Sequence, residues 1–174
     1  MASKIQVVTG GAGGMGLAIC RRLAKRGSLI VADINKEKLE QARFQLSREG
    51  IEDAEYILCD VSDKKQVEAL ADAVRKKGDL GSCIHTAAYS PVQQEPRRLM
   101  EVNTVGTVNV IDTFYPLMFK GSSMITITSV AGYFWQVDEE SAAVFQDAHS
   151  PALPDKLMDL LEGDLQKAYP LSKS

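Results

Sequence analysis

The chain has 174 residues, of which 45% are apolar and 25% are charged, a composition typical of a soluble globular domain with its own core. The net charge is −3 and no long basic run occurs, which argues against nucleic acid or an anionic membrane as the main partner. No apolar stretch approaches membrane-spanning length, and residues 1–4 lead into a short apolar strand rather than a signal peptide.

Short apolar runs alternate with amphipathic segments along the chain. In chain order, the sequence predicts strand Ile5–Thr9, helix Gly14–Lys25, strand Leu29–Ala32, helix Lys36–Glu49, strand Tyr56–Cys59, helix Lys64–Lys77, strand Cys83–His85, helix Arg97–Phe119 and strand Met124–Thr128. The strands are continuously apolar, as in parallel sheets that are buried on both faces. We therefore expect an α/β chain of βαβ units, a Rossmann-like doubly wound parallel sheet.

The composition changes after Tyr133. Residues 135–168 are acidic and turn-rich, with two predicted helices, Glu139–Gln146 and Asp155–Leu165, that Pro151 and Pro154 separate. This stretch is too short to bury a core of its own, so it is interpreted as an insertion within one domain, residues 1–174. We expect it and its flank to supply apolar side chains to a substrate pocket, namely Phe134, Trp135, Phe145 and Leu157.

Glycines cluster between the first predicted strand and the first predicted helix, in the run Thr-Gly-Gly-Ala-Gly-Gly-Met-Gly of residues 9–16. Glycines there permit positive φ and a close backbone approach to a pyrophosphate, and the helix N-terminus supplies free N–H groups. The alternative is a tight turn without a ligand. The residues expected to contact the cofactor here are Gly10, Gly13, Gly14, Met15 and Gly16.

Asp33 ends the second predicted strand, 23 residues after Gly10. A carboxylate there can accept hydrogen bonds from both adenosine ribose hydroxyls and would repel a 2′-phosphate. No lysine or arginine lies within residues 9–16, so the sequence favours NAD over NADP. The alternative is that Asp33 caps the next helix. Asp60, after the third strand, is equally suited to accept from the adenine amino group or to cap the helix at Lys64.

Five short motifs follow one another along the chain: Thr9-Gly10-x-x-x-Gly14-x-Gly16, Cys59-Asp60-Val61, Val102-Asn103-Thr104-Val105-Gly106, Ile127-Thr128-Ser129-Val130-Ala131-Gly132 and Tyr169-Pro170-Leu171-Ser172-Lys173. In type and order they resemble the motifs of the short-chain dehydrogenase/reductase family. The resemblance covers the whole chain except the insertion and is greater to the single-domain branch. It implies that Asp60, Val61 and Ala87 also contact the cofactor.

The resemblance implies that Tyr169 is the general acid/base on the substrate oxygen, with Lys173 four residues later on the same helix face. A nearby ammonium stabilises the phenolate form of a tyrosine. Ser129 would donate to the developing alkoxide, and Asn103 would bind a water that passes protons from Lys173. Tyr169 and Lys173 are also implied to contact NAD. The alternative for Ser129, Asn103 and Tyr169, each taken singly, is a structural role without catalysis.

Three features depart from the single-domain pattern. His85-Thr-Ala-Ala stands where that branch has Asn-Asn-Ala-Gly, and it resembles the extended branch of nucleotide-sugar epimerases and dehydratases. Ser129 and Tyr169 are 40 residues apart, a spacing similar to that of hydroxysteroid-type and carbonyl-reducing members with a helical insertion. The chain stops one residue after Lys173, at the start of a helix, so the sequence predicts a truncated fold and a fragment of a longer polypeptide.

The leading hypothesis is an NAD-dependent oxidoreductase that interconverts a small-molecule secondary alcohol and a ketone, with a hydroxysteroid-like or other hydrophobic substrate. The alternatives are a nucleotide-sugar epimerase or dehydratase, and an NAD-binding module without turnover. A full-length protein would form a homo-oligomer, a dimer or a tetramer. Cys20, Cys59 and Cys83 are widely spaced, which predicts buried thiols and a cytoplasmic location, and only two histidines occur, so no metal site is expected.

Overall fold

The structure is a computed structural model that describes residues 4–90 and 95–174. The chain folds into two compact units, Met1–Ala87 with Asn109–Ile127 and Ala88–Val108 with Thr128–Ser174. Residues 1–3, part of the N-terminal stretch interpreted as leading into a strand, lie outside the described residues. Among the described helices, none combines the length and the apolar character that a membrane crossing needs.

The first unit is built on a five-stranded parallel sheet, as the sequence predicts. The strands are β1 (Ile5–Thr9), β2 (Ser28–Asp33), β3 (Ala54–Leu58), β4 (Leu80–His85) and β5 (Ser123–Thr126). Their spatial order is β3-β2-β1-β4-β5, with Val7 of β1 opposite Ile30 of β2 and Cys83 of β4. The strand order reverses direction between β1 and β4, and ligands of such sheets bind beyond the carboxyl ends of the strands at this point.

Helices flank this sheet because each carries one apolar stripe. They are α1 (Gly14–Leu23), α2 (Lys36–Arg48) and α3 (Lys64–Lys77). Leu17 of α1 and Leu39 of α2 pack in one buried cluster with Val8 and Val31 of the sheet. The alternate strand residues, such as Val7, are equally buried, so both faces of the central strands are covered. The three cysteines are buried free thiols, as expected, and burial raises the pKa of Cys83 to about 12.

The segment predicted as helix Arg97–Phe119 is helical without a break from Pro96 to Leu117, but it changes type along its length, so the expectation of one regular helix to Phe119 was wrong. The segment contains α4 (Pro96–Leu99), a π-helical turn (Met100–Val105), α5 (Gly106–Phe114) and a 3-10 turn (Tyr115–Leu117). The spacing of apolar residues in the sequence does not distinguish a π-helical turn, with i→i+5 hydrogen bonds, from a turn of α-helix. Pro116 lies at the start of the 3-10 turn, where its missing N–H ends the regular α-helical hydrogen bonding.

The second unit is helical and has its own buried cluster. Its remaining elements are a 3-10 turn (Val130–Phe134), α6 (Glu139–Gln146), α7 (Leu153–Asp159), a 3-10 turn (Leu165–Lys167) and α8 (Ala168–Lys173). Leu153 and Leu157 of the insertion pack in this cluster with Leu99, Met100 and Leu171. The insertion therefore contributes to a core that it shares with residues outside it.

The second predicted helix of the insertion is shifted and shortened. Pro154 occupies the first turn of α7 rather than a linker, a position where proline is tolerated because its N–H is not needed. The chain leaves the helix after Asp159 and turns at Glu162 and Gly163, which have φ values of 48° and 85°. The expectation of a helix to Leu165 was wrong because these left-handed residues interrupt it.

Candidate active site

The glycine loop between β1 and α1 is closely packed on one side and open on the other. Gly10 has φ +66°, and a Cβ there would lie 2.7 Å from the backbone nitrogen of Ala87. A Cβ on Gly16 would lie 2.2 Å from the carbonyl oxygen of Gly10. At Gly14, in contrast, a Cβ would meet nothing within 4 Å. The loop therefore needs glycine for its own packing at two positions and leaves free space at the third.

The N-terminus of α1 has no side-chain cap. Gly13 is the N-cap residue, and no side chain accepts a hydrogen bond from the first turn. Met15 in that turn is 59% exposed. Uncapped N–H groups and the positive end of the helix dipole form an anion site, so this turn fits a pyrophosphate.

Asp33 lies beside this loop. Its Oδ2 accepts a hydrogen bond from the Ala12 N–H at 3.2 Å, and its Oδ1 accepts from the Asn35 N–H at 3.0 Å. The cap of α2 is Asn35, whose side chain accepts from the Lys38 N–H at 2.9 Å. The alternative that Asp33 caps this helix is therefore wrong. Its carboxylate is instead fixed next to the glycine loop by the hydrogen bond from Ala12.

Asp60 and Val61 belong to the loop after β3. The Asp60 carboxylate accepts from the Ser62 N–H and hydroxyl at 3.0 and 2.7 Å, whereas α3 is capped by Asp63. The alternative that Asp60 caps α3 is therefore wrong. Asn109, which is buried, donates to the carbonyl oxygens of Val61 and Ser62 at 3.0 and 3.2 Å. These hydrogen bonds from Asn109 were not predicted, although the single asparagine of the apolar helix α5 is a sequence feature that indicates a buried polar contact.

His85, the residue that departs from the single-domain pattern, has a structural partner. It is 1% exposed, and its Nδ1 lies 2.6 Å from the hydroxyl oxygen of Thr9. The neighbouring Thr86 hydroxyl donates to the Thr9 carbonyl oxygen at 2.7 Å. These bonds join the carboxyl ends of β1 and β4, so His85 stabilises the sheet where the glycine loop begins.

In the second unit, Ser129 and Lys173 line one cavity of about 370 Å³. Ser129 precedes the 3-10 turn Val130–Phe134, and its Oγ accepts from the Ala131 N–H at 3.2 Å. Gly132 of the same turn lies against the end of α8, because a Cβ there would be 2.4 Å from the Lys173 carbonyl oxygen. Close backbone contact between the turn and α8 thus brings Ser129 and Lys173 to the same cavity.

The Lys173 ammonium is half-buried and lacks a counter-ion. No carboxylate within residues 4–90 and 95–174 forms an ion pair with its Nζ. Burial lowers the pKa of Lys173 below the ordinary lysine value, because a desolvated ammonium releases its proton more readily. This lysine is therefore suited to proton exchange as well as to charge stabilisation.

Tyr169 lies one turn before Lys173 on α8. Its ring is half-buried and packs on the cluster around Leu99 and Leu171. It is not among the residues that line the cavity with Ser129, and no hydrogen bond of its Oη occurs within the described residues. The structure thus brings Ser129 and Lys173 to one cavity, and Tyr169, on the same helix as Lys173, is not among the residues that line it.

Asn103 lies buried in the π-helical turn. Its Oδ1 accepts from the Tyr89 N–H at 2.7 Å, and its Nδ2 donates to the Tyr89 carbonyl oxygen at 3.2 Å and to Ser172 Oγ at 3.0 Å. Both amide hydrogens are therefore used. A water at the side chain would have to donate to the remaining lone pair of Oδ1.

The apolar side chains expected in the substrate pocket divide between three environments. Trp135 lines the cavity with Ser129, and its buried Nε1 has no hydrogen-bond partner in the described part of the chain. Leu157 is fully buried and Phe145 packs on it, so both belong to the core rather than to this cavity. Phe134 is 75% exposed and lines a separate acidic cleft. The pocket expectation was thus wrong for Leu157, which the core buries completely, and it stays a prediction for Phe134 and Phe145.

Comparisons with known proteins agree with this arrangement. A family model described as short chain dehydrogenase matches residues 4–142. Tropinone reductase-like 3 of Erythroxylum coca is 31% identical over 140 residues, which make up 75% of this chain and 54% of the relative. A diacetyl reductase [(S)-acetoin forming] of Staphylococcus epidermidis is 32% identical over 143 residues, 75% of this chain and 55% of the relative.

A solved structure shares the fold over the whole chain. The menthone neomenthol reductase of Mentha piperita superposes with a TM-score of 0.73 at 20% identity, covering 99% of this chain and 82% of that one. The chain spans about half the length of the two curated relatives. Because the family model matches residues 4–142, most of the sequence, this chain belongs to the short-chain dehydrogenase family of oxidoreductases.

Proposed function

We propose that the protein interconverts a secondary alcohol and a ketone by hydride transfer with NAD. The observation that carries this proposal is the cavity that Ser129 and Lys173 line together. A hydroxyl donor and an ammonium beside one small cavity suit a substrate whose oxygen gains negative charge during the reaction. Two similar proteins bear the name of reductases, which supports carbonyl chemistry for this chain as well.

The first unit is proposed to bind the cofactor. The free space at Gly14 and the uncapped N-terminus of α1 fit a pyrophosphate, and Asp33 fits the adenosine ribose. When bound, NAD supplies the carbon that accepts the hydride. The loop residues bind and orient it.

The second unit is proposed to move the proton. In oxidation, Tyr169 Oη takes the proton of the alcohol, and in reduction it returns a proton to the carbonyl oxygen. Ser129 Oγ donates a hydrogen bond to the same oxygen. The lowered pKa of Lys173 makes its proton easier to exchange, and we assign the water on the Asn103 side chain to the same relay.

We infer NAD rather than NADP from the position of Asp33. Its carboxylate is bonded to the Ala12 N–H of the glycine loop, where a 2′-phosphate would meet a negative charge. Asp33→Asn should weaken NAD binding about tenfold and reduce the preference over NADP, because a neutral amide no longer repels the phosphate. Calorimetric titration with both cofactors measures this, with the helix cap variant Asp63→Asn as control. Equal wild-type affinity for NAD and NADP would refute the inference.

The reaction class is tested by following the absorbance of reduced cofactor with a panel of secondary alcohols, ketones, steroids and nucleotide sugars. We expect turnover with alcohols or ketones and none with nucleotide sugars. His85, which belongs to the His-Thr-Ala-Ala run that resembles the epimerase branch, is engaged in the bond between β1 and β4. Binding of NAD without any turnover would contradict the proposed reaction and favour a binding module.

A further inference from the structure

Ser172 stands between Tyr169 and Lys173 on α8, and its side chain faces inward. It is 4% exposed, while its helix neighbours Ala168 and Leu171 are 1% and 0% exposed. A hydroxyl among such apolar side chains is costly unless its hydrogen bonds are made. The partners of Ser172 are therefore informative about its role.

Ser172 is the middle of a directed chain of hydrogen bonds. Asn103 Nδ2 donates to Ser172 Oγ at 3.0 Å, and Ser172 Oγ donates to the Tyr169 carbonyl oxygen at 2.9 Å. Thr104 adds a bond from its hydroxyl to the Ser172 carbonyl oxygen at 3.3 Å. The side chain thus uses its one donor and accepts from a fixed partner on another element.

The side chain of Asn103, the partner of Ser172, is held in place by the backbone of Tyr89. The two groups exchange hydrogen bonds of 2.7 and 3.2 Å, which fix the plane of the Asn103 amide. The π-helical turn Met100–Val105 carries Asn103, and such turns commonly mark functional sites. A rigid donor on this turn can therefore define the rotation of α8 about its own axis.

The orientation of α8 matters because Tyr169 and Lys173 both lie on this helix. Gly132 packs closely against the Lys173 carbonyl oxygen, and Leu171 packs in the buried cluster with Leu99 and Met100. The hydrogen bond from Asn103 to Ser172 adds a directional contact between α8 and the π-helical turn.

We propose that Ser172 is a positioning residue, whose hydroxyl links Asn103 to α8 and thereby sets the directions of Tyr169 and Lys173. This inference rests on the proposed function, in which Tyr169 transfers the proton. Ser172 itself touches no reacting atom in this assignment. A displacement of about 1 Å in a reacting group costs roughly a hundredfold in rate, so the effect is large enough to measure.

The test compares Ser172→Ala with Ser141→Ala in the purified protein. Ser141 is an equally buried serine that forms the capping box of α6, so its loss destabilises the second unit without touching α8. For Ser172→Ala we expect kcat to fall about ten- to hundredfold with KM changed less than about threefold. For Ser141→Ala we expect a lower Tm and unchanged kcat.

A readout that does not need turnover is the NMR titration of the Lys173 side chain. Burial lowers the pKa of Lys173, so a loosened α8 that admits water should raise it toward the ordinary lysine value in Ser172→Ala but not in Ser141→Ala. Ser172→Cys keeps the volume and loses most of the hydrogen bonding, and it carries the test if Ser172→Ala does not fold.

Unchanged kcat and an unchanged Lys173 titration in the Ser172 variants would overturn the proposal, as would equal loss of kcat in Ser141→Ala. A wild-type protein without turnover, but with the Lys173 titration shifted by Ser172→Ala, would refute the proposed reaction and retain the positioning role.

Discussion

At the scale of single residues, Lys173 combines two properties that oppose each other. Its side chain ends in an ammonium group, and it is half-buried without a carboxylate partner in the part of the chain that the structure describes. Burying an unpaired charge destabilises a fold, and this cost fits the role that we propose for Lys173 beside Ser129. Because burial lowers the pKa of Lys173, the free-energy cost of burying its charge changes with pH.

We predict that Lys173→Met raises the free energy of unfolding at pH 7. In the native state the pKa of Lys173 is lowered, so between that pKa and the ordinary lysine value the unfolded chain holds more protons. The wild-type protein therefore becomes more stable as the pH rises through this window. The difference in free energy of unfolding between Lys173→Met and wild type shrinks accordingly toward about pH 10.4.

Urea unfolding at pH 7, 9 and 10.5 measures this difference. Lys167→Met is the control, because Lys167 is exposed and pairs with Asp164 at 3.6 Å. Two results would show that the buried charge of Lys173 does not destabilise the fold. One is a Lys173→Met protein that is less stable than wild type at pH 7, and the other is a stability difference that is the same at all three pH values.

The sequence alone identified some site residues and missed others for a physical reason. Ser129 and Lys173 belong to spaced motifs, and the structure brings them to one cavity. Asn109, Ser172 and the buried indole nitrogen of Trp135 were missed, because their roles depend on partners far away in the chain. Hydrogen-bond partners across the fold leave no periodic pattern in a sequence.

At the scale of elements, the strands and amphipathic helices were the most predictable features. Ile5–Thr9, Lys64–Lys77 and Glu139–Gln146 have the predicted bounds. A continuous apolar run defines the strand, and Asp63 and Asp138 cap the two helices. The π-helical turn and the left-handed residue Glu162 were not predictable. Both depend on packing against other elements rather than on local preference.

The glycine loop makes a prediction that separates folding from cofactor binding. Gly16→Ala should destabilise the protein by more than about 1 kcal/mol, because its Cβ would clash with the Gly10 carbonyl oxygen. Gly14→Ala should leave stability within about 0.5 kcal/mol, since nothing lies within 4 Å of the new Cβ. It should nevertheless weaken NAD binding, because the methyl group occupies the space proposed for the phosphates.

Thermal unfolding and calorimetric titration with NAD distinguish the two variants. The matched pair consists of the same substitution two residues apart on α1. If Gly14→Ala bound NAD as tightly as wild type, the free space at this position would not be the cofactor site. If Gly16→Ala were as stable as wild type, the close packing of the loop would not be needed for folding.

At the scale of the whole molecule, the glycine loop and Asp33, which we propose to bind NAD, lie in the first unit, and the residues proposed to transfer the proton lie in the second. Family membership establishes oxidoreductase ancestry for the chain. The predicted dimer or tetramer stays a prediction, which light scattering of the purified protein measures. Which alcohol or ketone is the substrate is identified by the assay panel, because the fold is shared by enzymes with different substrates.

Proton transfer by Tyr169 is tested by comparing the turnover of Tyr169→Phe and Tyr115→Phe with that of the wild-type protein. Tyr115 is 68% exposed and lies outside the candidate site, so it controls for the loss of a phenol group. We predict that Tyr169→Phe lowers kcat by about 10²- to 10⁴-fold with NAD affinity within about threefold, and that Tyr115→Phe changes neither. Wild-type turnover in Tyr169→Phe would contradict the account.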